Sequence, residues 1–152
     1  MTAEPIIYFF GVSPDGRWAI VNTAGSGQVK TQVVAYSLDG DDAVPLCDNC
    51  GSAGGAARAH IPPFLAWSSD GQYLYLRLNP VGESIYETGN TYILRLASPG
   101  SLPRPFKNEA DVASTPGVRV IPHGGIFGGP RPTLYAYTRT TTHRNIYRIP
   151  LP

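Results

Sequence analysis

Residues 10–21 read FGVSPDGRWAIV, and this stretch decides the fold because it places a tight turn between two apolar runs. In Ser13-Pro14-Asp15-Gly16, proline supplies the fixed φ of the second turn position, and glycine tolerates the left-handed conformation at the fourth. The flanking residues are rich in aromatic and β-branched side chains, which favour strands over helices. The stretch therefore predicts two strands joined by a type I turn.

A second copy of this pattern lies further along the chain, where residues 65–76 read LAWSSDGQYLYL. Here Ser68, Asp70 and Gly71 take the places of the serine, aspartate and glycine of the first copy, while the proline is lost. The two turn aspartates lie 55 residues apart in the numbering. A repeat of that length, which holds a hairpin and further strands, is typical of an array of β-sheet blades.

The segments SPDGRWAIV and WSSDGQYLYL resemble the WD-like blades of TolB-type β-propellers, which also occur in dipeptidyl-peptidase IV-like enzymes. Residues 135–151, YAYTRTTTHRNIYRIPL, resemble the last blade of propellers at the C-terminus of some bacterial serine/threonine kinases. The resemblance implies an all-β fold of antiparallel four-stranded blades, about three of them in an incomplete ring. It implies little about chemistry, because propellers serve many unrelated functions.

Three repeats are expected within a single domain of residues 1–152, and they span residues 6–47, 64–106 and 118–151. The first repeat has predicted strands at 6–12, 17–22, 32–38 and 43–46. The second has strands at 64–68, 73–78 and 91–96, and Pro99, Pro103 and Pro105 restrict any fourth strand to an edge position. The third is degenerate, with a first strand at 118–122 and 126–127, followed by strands at 134–138 and 145–151.

The composition agrees with many short strands joined by tight turns. The 152 residues include 17 glycines and 15 prolines, and 42% of the residues are hydrophobic. Nine tyrosines supply aromatic side chains for a core of sheets. A net charge of +1 gives no general attraction to nucleic acid or to a membrane surface.

Three blades are too few for a closed propeller, which has about four to eight. The chain is therefore expected to be a fragment of a larger propeller, or to form a homodimer in which two copies make a six-bladed ring. The expected partners are the remaining blades of such a propeller or another protein. No segment has the pattern of a secretory signal or a membrane span. A complete chain is expected in the cytoplasm, whereas the compartment of a fragment would be set by the rest of the protein.

The sequence Cys47-Asp48-Asn49-Cys50 has the spacing of a metal-binding or redox-active pair. A zinc site needs further ligands, but the chain has no other cysteine and its three histidines are scattered. A thioredoxin-like pair belongs at a helix N-terminus, whereas glycine and alanine follow here. We therefore interpret the pair as part of a structural loop, where a disulfide outside the cytosol is one form it can take.

No catalytic or cofactor-binding motif emerges elsewhere in the chain. The glycine-rich segments lack the spacing of a phosphate loop, and neither a Gly-x-Ser-x-Gly elbow nor the protein-kinase motifs are present. After Asp111 the chain carries five arginines interleaved with tyrosines and no acidic residue. We interpret this pattern as alternating strands with arginines outward and tyrosines inward, so nucleic-acid binding is not expected.

These observations predict a non-catalytic module for protein or ligand interaction or for sensing, without a cofactor. The resemblance implies that it is the C-terminal part of a larger bacterial protein such as a kinase. The alternative is a substrate-gating propeller fragment of a peptidase-like or hydrolase-like protein. In either case the long loops at residues 47–63 and 79–90 are the candidates for a binding face.

Overall fold

The architecture was taken from a computed structural model, which describes residues 5–24, 31–48, 64–78, 89–124, 126–129, 131 and 133–137. Within these residues the chain forms ten strands and one short helix. The strands belong to antiparallel sheets, two of which have four strands each. The prediction of an all-β fold with four-stranded antiparallel sheets is thereby confirmed, while the number of blades stays a prediction.

The first sheet contains β1 (Ile6–Val12), β2 (Trp18–Ala24), β3 (Thr31–Ser37) and β4 (Ala43–Asp48). The strands pair in sequence order, so each is antiparallel to the next and β1 and β4 form the two edges. The bounds agree with the predicted strands to within about two residues, as expected when local pattern and turn chemistry agree. Two register shifts interrupt the pairing of β1 with β2.

The second sheet contains β5 (Phe64–Trp67), β6 (Tyr73–Arg77), β7 (Thr91–Arg95) and β8 (Arg119–Ile121), again in sequence order. Its last strand corrects the prediction, which placed residues 118–122 at the start of the third repeat. Instead β8 pairs with β7 and completes the second repeat as its fourth strand. The predicted repeat boundaries at 106 and 118 therefore do not match the strand pairing.

The physical reason lies in the segment between β7 and β8. Three prolines at positions 99, 103 and 105 cannot donate to a sheet ladder, so the chain leaves the sheet after β7. It then forms α1 (Glu109–Ala113), which the sequence analysis did not predict. The Asn108 side chain caps this helix by accepting a hydrogen bond from the backbone N–H of Asp111 at 3.0 Å. Only after the helix does the chain return to the open edge of β7.

A third, smaller sheet is a two-stranded hairpin of β9 (Ile126–Gly128) and β10 (Tyr135–Tyr137). These strands match the predicted strands at 126–127 and 134–138. The predicted strand at 145–151 lies outside the described residues.

The three sheets pack as layers, with the second sheet in the middle. One cluster of buried side chains fills the space between the first and second sheets, and it includes Ile20, Val33, Leu46, Leu74 and Leu94. A second cluster lies between the second sheet and the hairpin, and it contains Tyr75, Ile93, Ile121 and Ile126.

Strand β6 shows how the middle layer is used on both faces. Leu74 and Leu76 point to the first cluster, whereas Tyr75 between them points to the second. Successive side chains of a strand alternate between faces, so a strand covered on both sides reads as a continuous apolar run. The run YLYL at residues 73–76 is such a sequence.

Candidate functional site

The first repeated turn is held by a compact set of hydrogen bonds around Ser13. The Gly16 backbone N–H donates to the Ser13 carbonyl at 2.8 Å, which closes the turn, and Gly16 has a φ of +75°. The Ser13 hydroxyl donates to the Asp15 carboxylate at 2.5 Å and accepts from the Trp18 backbone N–H at 2.9 Å. The serine side chain therefore links the turn to the first residue of β2.

The second turn repeats this arrangement almost atom for atom. The Gly71 N–H donates to the Ser68 carbonyl at 2.9 Å, and the Ser68 hydroxyl donates to Asp70 at 2.6 Å. The same hydroxyl accepts from the Tyr73 N–H at 2.9 Å. The turn keeps this geometry although Ser69 stands in the place of Pro14, so the Ser-x-Asp-Gly pattern and not the proline defines it.

The two turn aspartates are stabilised as carboxylates. The hydrogen bond from the Ser13 hydroxyl lowers the pKa of Asp15 below its ordinary value of 3.8, and the bond from Ser68 does the same for the pKa of Asp70. Backbone N–H groups of Arg17 and Gln72 add further donors to these carboxylates. Both side chains stay ionised in neutral solution, and they serve the turns that carry them.

The first turn also packs against the second repeat. A Cβ atom built on Gly71 would lie 3.4 Å from the Pro14 ring, and one built on Gly100 would lie 2.5 Å from Cγ of Asp15. Gly71 and Gly100 are joined by a backbone hydrogen bond of 3.0 Å. The sequence-predicted turn residues of both repeats are thus brought together at one edge of the layered structure, where their contacts are structural.

Cys47 is a buried, disulfide-bonded residue at the end of β4. Cys50, the other cysteine of the chain, lies outside the described residues. Within the described part of the chain no group of three or more His, Cys, Asp or Glu side chains could hold a metal ion. A disulfide is one of the forms that the sequence analysis allowed for this pair, and the compartment of the chain stays a prediction.

An open pocket of about 220 Å³ lies beside Cys47. It is lined by Pro45, Leu46, Cys47, Pro105, Phe106, Lys107 and Asp111. Both oxygens of its one carboxylate already have partners, because Asp111 accepts from Arg104 at 3.4 Å and from the Lys107 backbone N–H at 3.1 Å. The pocket is therefore mainly an apolar depression between β4 and the segment before α1.

A partly buried cluster of polar side chains joins α1 to the middle sheet. The Tyr92 hydroxyl donates to Oε1 of Glu109 at 2.6 Å. The Asn90 side-chain amide donates to the Tyr92 hydroxyl and to the same Glu109 oxygen, each at 3.4 Å. Burial, followed by the bond to Glu109, raises the pKa of Tyr92 to about 12. The tyrosine thus stays a neutral donor at all moderate pH values, which suits a structural role.

The arginines and tyrosines near the C-terminus are only partly described. Tyr135 packs against the second cluster, as the alternating pattern predicted for tyrosines, while Arg119 and Arg131 are exposed. Tyr137 is exposed, so the inward orientation predicted for the tyrosines is wrong for this residue, and its ring centroid lies 4.7 Å from that of His123. The remaining residues of this pattern, together with most of the loops predicted as a binding face (49–63 and 79–88), lie outside the described residues.

Strand β1 is the most exposed apolar element of the described structure, and the sequence analysis predicted it as the first strand of the first repeat. Ile6, Ile7, Tyr8 and Phe9 are 52%, 53%, 50% and 56% exposed. Four consecutive large apolar side chains that are each about half exposed mean that the described residues cover this part of β1 only partly. No charged residue occurs from position 5 to position 14, and this run of uncharged residues was the signal in the sequence.

No family model, curated protein or solved structure matches this chain. Within the described residues no helix has the length and apolar character that crossing a membrane requires.

Proposed function

We propose that this chain is a non-catalytic interaction module built from propeller-type blades like those of TolB-like proteins. This proposal is supported by two four-stranded antiparallel sheets whose first two strands are joined by the same Ser-x-Asp-Gly turn. Their first strands, β1 and β5, are in contact, and their turns pack against each other. Such stacking of equivalent sheets is the packing that blades use, since each buries its faces against its neighbours.

The observation that carries the interaction role is the exposed strand β1. Contiguous exposed apolar surface in a globular protein marks an interaction site more often than isolated apolar residues do. β1 also forms the edge of its sheet, so its outer backbone N–H and C=O groups point away from β2. An extended segment of a partner can add there as a further strand, with main-chain hydrogen bonds for affinity and side-chain contacts for selectivity.

The resemblance to kinase-associated propellers extends the proposal to the whole protein. We place the chain at the C-terminal part of a larger bacterial protein, such as a kinase, where the blades would bind a protein partner. An antibody raised against this chain tests that placement by immunoblotting of its native cells. A band at 16.3 kDa alone would contradict it, and a much larger band would support it.

Site-specific photo-cross-linking tests the interaction role. A photoreactive phenylalanine analogue replaces Phe9 of β1 in the protein expressed in its own cells, and the matched control carries it at Phe127 of β9. The two phenylalanines are equally exposed, at 56% and 54%, so they sample solvent to the same extent.

A discrete adduct from position 9 and none from position 127 is expected, and mass spectrometry of the adduct identifies the bound protein. Equal, diffuse labelling from both positions would show that β1 is an ordinary exposed strand and would overturn the proposed role.

A further inference from the structure

The edges of the described sheets differ in how they are protected from pairing with other chains. Natural proteins protect an edge strand by making it short, by placing proline or charge on it, or by covering it. β5, β8, β9 and β10 have four residues or fewer. β4 contains Pro45, and its Leu46 carbonyl accepts a hydrogen bond from the Phe106 N–H at 2.9 Å.

β1 lacks most of these devices. It has seven residues, none charged and none proline, and within the described residues it pairs only with β2. Its one protection is the pair of register shifts against β2, which lie between Ile6 and Tyr8 and between Phe9 and Gly11. Such irregularities bend a strand and limit the length over which another strand can pair with it. A short pairing centred near Tyr8 is therefore the form that an added strand can take.

The chemistry of β1 restricts what that strand can be. A charged side chain placed against Ile7 or Phe9 would lose hydration without gaining a partner, so the added strand must itself be apolar and uncharged. β1 meets this requirement, and an antiparallel copy of it related by a two-fold axis through Tyr8 would set Ile7 opposite Phe9 of the partner subunit. Aromatic and β-branched residues are favourable cross-strand pairs.

We propose that β1 pairs with β1 of a second copy of this chain and joins the two first sheets into one continuous sheet. This inference rests on the interaction role proposed above and names the partner of the same surface. It differs from a ring of two copies, which would join the outer layers of the structure instead of the edge of the first sheet. Two-fold dimers with self-complementary surfaces are the commonest protein oligomers.

The exposed area indicates that this dimer is weak. About half of each of these four side chains is exposed, so that at most roughly 100 Å² per residue and roughly 400 Å² per copy can be buried. The total of roughly 800 Å² is below the 1,200–2,000 Å² typical of stable complexes. A concentration-dependent equilibrium between monomer and dimer is therefore expected.

Sedimentation equilibrium of the purified 152-residue chain, over low to high micromolar concentrations, tests the pairing. The wild-type chain is expected to shift from monomer to dimer with concentration. Phe9→Lys places a charge opposite Ile7 of the partner subunit, with the like charge of the other copy diagonally across the two-fold axis, and is expected to raise the dissociation constant about tenfold or more. Phe127→Lys, its matched control of equal exposure, is expected to leave the constant unchanged, and far-UV circular dichroism checks that both variants are folded.

Hydrogen exchange of the unmodified chain gives a second readout that needs no substitution. Amides of β1 are expected to become more protected at high concentration than at low concentration, whereas those of β9 and β10 are not. A chain that stays monomeric throughout, a dimer weakened by Phe127→Lys and not by Phe9→Lys, or unchanged protection of β1 would each overturn the pairing. A monomer whose position 9 still cross-links to another protein would overturn only this inference and leave the interaction role intact.

Discussion

Replacement of Gly100 by alanine tests whether the two repeats are held together at their turns. Gly100 has a φ of +76°, where an alanine side chain is strained by about 1–2 kcal/mol. A Cβ at this position would also lie 2.5 Å from Cγ and 2.7 Å from either oxygen of Asp15, which belongs to the other repeat. Asp15 is exposed, so its carboxylate can turn aside at the expense of its hydrogen bond to Ser13, and the overpacking adds about 1 kcal/mol, the low end of the range for packed cores. Gly100→Ala is therefore expected to lower the free energy of unfolding by about 2–3 kcal/mol.

Gly117→Ala is the matched control for backbone strain. Gly117 has nearly the same φ, +77°, but a Cβ there meets no atom within 4 Å. Its replacement should therefore cost only the strain of about 1–2 kcal/mol. Urea unfolding of the two variants, followed by fluorescence and circular dichroism, gives both values, and their difference isolates the contact between the repeats.

A double variant shows whether Asp15 is the group that alanine meets. In an Asp15→Ala background the carboxylate is gone, so adding Gly100→Ala should cost no more than Gly117→Ala costs in the wild type. Equal losses for Gly100→Ala and Gly117→Ala in the wild-type background would refute the contact between the turns. A loss that persists unchanged in the Asp15→Ala background would assign the effect to other neighbours of Gly100.

The remaining predictions concern the turns, the buried tyrosine and the disulfide. Ser68→Ala should lower the free energy of unfolding by about 1–2 kcal/mol, because the Tyr73 backbone N–H loses the hydroxyl that accepts its hydrogen bond. Urea unfolding measures this loss, and an unchanged midpoint would contradict it. Folding lowers the pKa of Asp15 and of Asp70, so the stability that these two carboxylates contribute should be fully present above pH 3.8 and should be lost as the pH falls through their lower pKa values in the folded chain. Thermal unfolding at different pH values should no longer show this dependence in a chain with Asn at both positions. Since folding raises the pKa of Tyr92 from 10 to about 12, stability should fall as the pH rises through that interval, and Tyr92→Phe should remove this contribution in alkaline thermal scans. Thiol titration of the denatured, unreduced chain should find no free thiol if Cys47 is disulfide-bonded, and two thiols per chain would disprove the bond.

Much of the local structure could be predicted from the sequence because it depends on neighbours in the chain. The pattern Ser-x-Asp-Gly is satisfied by its own backbone, since Ser13 and Ser68 bond groups no more than five residues away. The flanking strands follow from apolar and aromatic runs that end at these turns. Agreement between turn chemistry and strand pattern is why both sheets begin where the sequence indicated.

The candidate site was not predicted, because exposure is a property of the packed chain. Residues 6–10, IIYFF, have the composition of a buried strand, and the sequence analysis treated them only as the first strand of a blade. Their exposure arises because β1 lies at an edge and no described strand covers it. Helix α1 was missed because its one clear signal, Asn108 as the cap, follows a proline-rich segment that indicated a loop.

The sequence by itself determined the repeated turns and nearly all of the strands, because hydrogen bonds and side-chain patterns within a few residues specify them. Only the tertiary structure decided that Arg119–Ile121 closes the second sheet, that this sheet is buried on both faces, and that β1 is an exposed edge strand among the described residues. Strand pairing and burial join residues far apart in the chain, and a strand pattern is compatible with several such partners. Which strand a given strand pairs with therefore depends on which sheet edge is still unpaired when the rest of the chain has packed.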